Sequence, residues 1–326
     1  MKYSSPLIAV MILSMTGLLS AADAPSEKQT PDQKQPTKAR PRRKPSAYPP
    51  KLEGAKVEVY KKIGDVKLNI YIYNPKDHKA DEKKPAIVFF FGGGWRGGSP
   101  KQFEHQCRYI ASRGMVAMTA DYRVASRHQT KALHCVRDAK SAVRWIRQNA
   151  KRLGVDPERV AAGGGSAGGH IAACTGVIQG QDEPGEDTKI SSVPNAMVLF
   201  NPVMQLAPIK GESFPESFDL EALKDRMGID PAKLSPAHDI RKGLPPAIIF
   251  FGANDRLLAG AKVFDRLAKA AGNRCELRVY QGQKHGFFNH GRNGNKPFVQ
   301  TVRAADEFLT SLGWLEGKPT IELETK

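Results

Sequence analysis

Two hydrophobic rhythms divide the chain. Residues 57–62 and 66–73 alternate apolar and polar side chains around Gly64-Asp65, the pattern of an antiparallel hairpin with one covered face. From residue 86 onward continuous apolar runs replace the alternation, as in 86–91 (AIVFFF) and 244–251 (LPPAIIFF). Such runs suit strands buried on both faces. Further strands are predicted at 116–120, 159–162, 196–200 and 276–280, and helices at 102–113, 131–152, 170–177, 259–271 and 300–311. In the longest of these helices Val136, Ala139, Val143 and Ile146 share one face. Strand and helix taking turns imply an α/β fold, a largely parallel sheet covered on both sides. Residues 204–242, rich in Pro, Glu, Lys and Ser around a short helix at 220–227, break the rhythm. They fit either an insertion that shapes a pocket or a surface excursion without a role.

The first fifty residues follow neither rhythm. Met1-Lys2 gives a positive start, residues 6–19 an apolar core, and Ser20-Ala21-Ala22 a small-residue site, which is the layout of a secretory signal. Residues 1–22 are therefore expected to direct export and to be removed, which leaves no stable membrane insertion. Residues 23–54 carry almost nothing apolar, with seven prolines by residue 50 and the basic cluster Arg40-Pro41-Arg42-Arg43-Lys44. Such a stretch cannot bury enough surface to offset its ordering entropy, so it reads as a linker. The catalytic region is then expected at 55–326, and with 40% apolar residues in the whole chain it can build the core of a single domain.

The chemistry centres on Gly164-Gly165-Ser166-Ala167-Gly168, which follows the strand at 159–162 and opens the helix at 170–177. Strand, sharp turn and helix with a serine at the apex match the G-x-S-x-G arrangement of a nucleophile, although a plain helix-entry turn has the same letters. A serine needs a base, and the base needs an acid to orient it. Asp255 stands in the loop after the strand 244–251, and His285 just past the strand 276–280. Loops at the carboxyl ends of parallel strands converge on one crevice, so the three positions can meet. Taken singly, each is as easily a solvated loop aspartate or a surface histidine. Gly92-Gly93-Gly94-Trp95 ends the run 86–91 and offers backbone N–H groups to a developing oxyanion, each worth roughly 3 to 4 kcal/mol in comparable sites. A phosphate cradle is the other use of such glycines, but no G-K-[ST] follows them.

These pieces resemble the α/β-hydrolases, and more narrowly the exported esterase/lipase group related to hormone-sensitive lipase and to the BD-FAE-like feruloyl and acetyl esterases. The resemblance runs from Val57 to about Leu312 and rests on F-G-G-G-W at 91–95, D-Y-R at 121–123, G-G-S-A-G-G-H at 164–170, G-A-N-D at 252–255 and K-H-G-F at 284–287. It implies the α/β-hydrolase fold with a small cap at 204–242. Ser166 is implied as nucleophile, Asp255 as acid, His285 as base, and Gly93, Gly94 and the amide of Ala167 as the oxyanion hole. The implied reaction is hydrolysis of short-acyl esters, acetyl-type and carbohydrate-borne, without a cofactor. Two departures stand out: Phe91 occupies a position where the family often has histidine, and Gly165 one where lipase-like relatives often carry an acid. A peptidase of the prolyl oligopeptidase type and a non-catalytic binder on the same fold are the alternative readings.

Charge and cysteines refine the picture. The chain carries a net +17, of which residues 1–54, with nine Lys/Arg and four Asp/Glu, supply +5 and the remainder +12. Such a field favours acidic substrates or surfaces. The basic linker is expected first of all to be a solvated spacer; if it has a partner, the export signal points to an anionic polysaccharide rather than nucleic acid. Four cysteines permit three pairings, and a Cys107–Cys135 bridge between neighbouring helices is expected, with Cys174 and Cys275 as small buried hydrophobes. The spacings of His105, Cys107, His128, His134 and Cys135 fit no standard zinc pattern. His170, one helical turn beyond Ser166, is expected to pack or orient the turn rather than to act as base.

Overall fold

The computed structural model describes residues 47–214 and 219–323. The expected signal segment 1–22 and the linker up to residue 46 lie outside the described residues. Eight strands form one sheet in the order β1-β2-β4-β3-β5-β6-β7-β8. The alternating segments at the start form the hairpin of β1 (Lys56–Ile63) and β2 (Val66–Tyr73), and β2 joins β4 (Val116–Ala120) antiparallel. The remaining strands, β3 (Lys84–Phe90), β5 (Val155–Gly165), β6 (Ala196–Phe200), β7 (Ala247–Gly252) and β8 (Cys275–Tyr280), run parallel. The change from alternating to continuous apolar sequence thus marks the passage from antiparallel edge to parallel centre.

Side-chain alternation along the strands divides the core in two. Val88 and Phe90 of β3 face the layer built by α3 (Ala132–Gln148), α5 (Ala167–Val177) and α7 (Leu258–Ala270), whereas Ile87 and Phe89 face α1 (Glu104–Ser112) and α8 (Lys296–Ser311). Three short helices complete the set: α2 (Ala125–His128), α4 (Ala150–Leu153) and α6 (Leu220–Met227).

The elements differ from the sequence expectation mainly at their ends. The helix expected over 131–152 breaks at Asn149 (φ −102°, ψ 9°) into α3 and α4. β7 begins only after Pro245-Pro246, because proline has no N–H to give a parallel ladder. The segment 204–242 is no surface excursion: Met204, Leu206, Leu223, Met227 and Leu234 are buried in the larger core layer. Of the stretch expected as linker, the described residues 47–54 pack on the sheet domain: Leu52 is buried, and the Arg127 guanidinium lies 3.8 Å from the Tyr48 ring centre while donating to its hydroxyl at 3.0 Å. Those two side chains find partners that a purely polar linker would lack.

The Cys107–Cys135 bridge does not form. All four cysteines are free and buried. Cys107 on α1 packs on one face of the sheet and Cys135 on α3 on the other, so the sheet itself stands between them. Arg123 of the D-Y-R segment serves the fold: its guanidinium pairs with the fully buried Asp138 at 2.8 Å, and Lys61 of β1 reaches the same carboxylate at 2.8 Å. Among the described residues no helix is long and apolar enough to cross a membrane.

Candidate active site

Ser166 stands between β5 and α5 with φ 53° and ψ −119°. A non-glycine residue is strained by roughly 1 to 3 kcal/mol in that region, and here the surroundings fix it. The Ser166 amide donates to the Phe200 carbonyl at 2.8 Å, and the His170 amide donates to the Ser166 carbonyl at 2.9 Å. The turn therefore holds its side chain out of the sheet's carboxyl end. Gly165 has no room for a side chain, because a Cβ there would lie 2.5 Å from the Phe288 ring. The acidic residue of lipase-like relatives is thus sterically barred by the histidine loop of this chain.

Asp255 and His285 come to the same place from the loops after β7 and β8. His285 Nε2 lies 2.9 Å from Ser166 Oγ, and His285 Nδ1 lies 2.7 Å from Asp255 Oδ2. The carboxylate can only accept, so Nδ1 carries the proton and Nε2 is left free to take one. The Asp255 side chain is fully buried, while that of His285 is 43% exposed. The Leu257 amide donates to Asp255 Oδ1 at 3.0 Å and fixes the other oxygen. A buried carboxylate and a part-exposed ring give an imidazole held in one orientation with its Nε2 side towards the cleft.

The three residues that the resemblance implied for an oxyanion hole lie around this point. Ala167 is the first residue of α5, where an amide has no intrahelical acceptor. Gly94 and Ala167 line a cleft of about 300 Å³ together with Ser166 and His285. Gly93 precedes them with φ 138°, and a Cβ there would come within 2.3 Å of the Gly97 carbonyl oxygen. Among the described residues the amides of Gly93 and Gly94 have no hydrogen-bond acceptor, whereas the Gly93 carbonyl accepts from Arg96 and Gly97 at 3.0 and 3.2 Å. That tight turn directs the carbonyl inward to the loop and leaves the amides for another partner.

What holds the glycine loop was not legible beforehand. Phe91 stacks on Tyr122 with ring centres 4.2 Å apart, and the Tyr122 hydroxyl donates to the Phe91 carbonyl at 2.6 Å. Gln102 accepts from the Gly92 amide at 2.5 Å and donates to Asn289 at 2.8 Å, and Asn289 in turn donates to the Gly286 carbonyl at 2.8 Å. Asn201, buried at the end of β6, accepts from the Gly286 amide at 3.0 Å. No local signature announces such residues, since their partners are far away in the chain. His170 is buried between the glycine loop and the 204–242 segment: the Trp95 indole donates to Nδ1 at 3.2 Å, and Nε2 donates to the Leu234 carbonyl at 2.7 Å. Burial lowers its pKa to about 4, so it is a neutral spacer for Trp95 and takes no proton from Ser166.

The other histidines and cysteines of the 105–135 stretch scatter. His105 stacks on His290, and His128 accepts from the Val124 amide at 3.0 Å. Among the described residues no three His, Cys, Asp or Glu side chains are grouped to hold a metal ion.

Fold and site define a hydrolase built on a doubly covered parallel sheet with a serine at its central turn. Residues 87–289 match the family described as alpha/beta hydrolase fold, Abhydrolase_3. The chain belongs to this α/β-hydrolase family and is a hydrolase of the carboxylesterase class. It is similar to Thermogutta terrifontis esterase 2 phosphonylated by sarin, with 51% identity and a TM-score of 0.81 over 83% of this chain and 100% of that one. The butyrate-bound form of that esterase aligns with 52% identity and a TM-score of 0.79, over 83% of this chain and 99% of the other. Among curated proteins, Carboxylesterase NlhH of Mycobacterium tuberculosis is 29% identical over 224 residues, 63% of this chain and 67% of the relative.

Proposed function

We propose that the protein cleaves short-acyl carboxylic esters through an acyl-enzyme on Ser166, with acetyl-type esters of carbohydrates as its natural class. The observation that carries this reading is the unbroken relay from Ser166 Oγ through His285 to Asp255, at 2.9 and 2.7 Å, opening on one cleft. Ser166 Oγ attacks the carbonyl carbon as its proton passes to His285 Nε2. The negative charge that develops on the carbonyl oxygen is met by the amides of Gly93, Gly94 and Ala167. Asp255 stabilises the imidazolium, which then protonates the departing alcohol. Water, deprotonated by His285, attacks the acyl-enzyme, and the acid leaves with Ser166 restored. Every proton is accounted for within the relay.

A cleft of about 300 Å³ suits a small acyl group, and the similar esterase from Thermogutta terrifontis has been seen with butyrate bound. The test is hydrolysis of 4-nitrophenyl acetate, propanoate and octanoate by the protein and by its Ser166→Ala variant. Turnover that falls with chain length and disappears in the variant is expected; equal turnover by the variant refutes the serine mechanism. Export belongs to the same proposal and is supported by the sequence of residues 1–22. An N-terminus beginning after residue 22 or 24 in protein recovered from its cells is expected, and a retained Met1 counts against it.

A further inference from the structure

Among the described residues, two guanidinium groups stand in the reactive cleft without an ion-pair partner. Arg226 on α6 and Arg256, the residue after Asp255, both line the space that contains Ser166 and His285. Arg226 also borders the adjoining depression together with Arg96. Several other guanidinia are paired with acids: Arg113 with Asp306, Arg123 with Asp138, Arg144 with Asp182, Arg152 with Glu58. Among the described residues Arg96, Arg226 and Arg256 have no such partner, and the buried Nε of Arg226 has no hydrogen-bond acceptor.

Among the described residues, the two nearby acids Asp225 and Asp219 have other partners. Asp225 lines the adjoining depression with Arg96 and Arg226 and is held by Lys131 at 2.6 Å. Asp219 lines the cleft, but its Oδ1 caps α6 by accepting from the Ala222 amide at 3.0 Å. Burial first, and then the neighbouring Arg96 and Arg256 charges, lower the pKa of Arg226. Cations that repel one another around a part-buried orphan donor are a poor arrangement for a cleft meant only for neutral esters. They are a good arrangement for a planar anion, because guanidinium offers paired donors matched to a carboxylate.

Resting on the esterase reading above, we infer that Arg226 and Arg256 form a carboxylate-binding subsite beside Ser166, so that the preferred substrates are esters bearing a free carboxylate on the acyl or the alcohol half. The carboxylate takes no part in bond making. It anchors the ester while Ser166 attacks, and the surplus positive charge of the whole chain draws such substrates in.

The experiment compares pairs of esters that differ by a carboxylate. Mono-4-nitrophenyl glutarate against 4-nitrophenyl butanoate probes the acyl half, and 4-acetoxybenzoate against phenyl acetate the alcohol half. For at least one pair the anionic ester is expected to have a kcat/KM at least about tenfold above the neutral one at low salt. Arg226→Gln and Arg256→Gln are each expected to lower that ratio about tenfold or more. Ratios of one or less in both pairs, with the neutral esters turned over, overturn the subsite and leave the esterase intact. If no ester is turned over, the esterase reading has failed. The subsite is then judged by calorimetry of monomethyl glutarate on the Ser166→Ala protein: binding lost in the added Arg256→Gln variant supports it, and no binding refutes it. Arg256 is exposed, so its variant carries the test even if Arg226→Gln does not fold.

Discussion

Gln102 and Asn289, 187 residues apart, share a 2.8 Å hydrogen bond that joins the glycine loop to the histidine loop. The carbonyl of Gln102 takes the Gly92 amide and its amide group takes Asn289, which in turn holds the backbone beside His285. The proposed base and oxyanion donors are thereby placed by one side chain. Gln102→Met keeps the length and removes both bonds. It is expected to lower kcat by about ten- to a hundredfold while KM changes less than about threefold, since displaced donors cost transition-state more than ground-state binding. A change in KM alone would make Gln102 a mere contributor to pocket shape.

Asp255→Asn tests the acid. The carboxamide can present its N–H to Nδ1 and turn the imidazole to the wrong tautomer, so kcat is expected to fall about 10⁴-fold at neutral pH. Ser166→Ala is expected to abolish ester turnover with little change in melting temperature, because the deleted hydroxyl is not part of the core. Labelling by a fluorophosphonate, lost in Ser166→Ala, checks the nucleophile directly.

His170 gives the fold a pH dependence of known sign. Its buried ring has a pKa of about 4 against an ordinary 6.5. Between those values the unfolded chain binds a proton that the fold excludes, so the contribution to stability is full above pH 6.5 and is lost as pH falls towards 4. A gap of that size corresponds to roughly 3 kcal/mol. His170→Gln can still bond Trp95 and Leu234, and it should flatten the fall in urea midpoint between pH 7 and pH 4.5. An unchanged slope would assign the acid sensitivity to other groups.

The thiols offer a simple count. Burial raises the pKa of all four cysteines, so the folded protein should react with a thiol reagent only as fast as it unfolds. Four thiols should appear in denaturant without reductant. Two would mean a disulfide that the separation of Cys107 and Cys135 by the sheet does not allow.

The order of elements and the positions of Ser166, Asp255 and His285 were legible in the sequence, for local reasons. Residues 86–91 and 244–251 are apolar throughout because a central parallel strand is covered on both faces. Glycines flank Ser166 because the turn between β5 and α5 has no space beside it, as Phe288 against Gly165 makes plain. The carboxyl-end loops then gather by topology alone.

Tertiary structure decided whatever depends on which face, which partner and how deep. Cys107 and Cys135 are only 28 positions apart in the chain, yet their helices lie on opposite sides of the sheet, a matter of crossover direction that spacing does not encode. The Gln102 bridge, the Asn201 support and the place of Arg226 in the cleft have no local signature, since hydrogen-bond partners and cleft neighbours are supplied by segments distant in sequence. Periodicity and turn chemistry are properties of neighbours along the chain, and so the sequence determined the strands, the helices and the apex serine. Side-chain pairing is a property of neighbours in space, and only the folded protein brings Gln102 to Asn289 and leaves Arg226 and Arg256 facing the cleft.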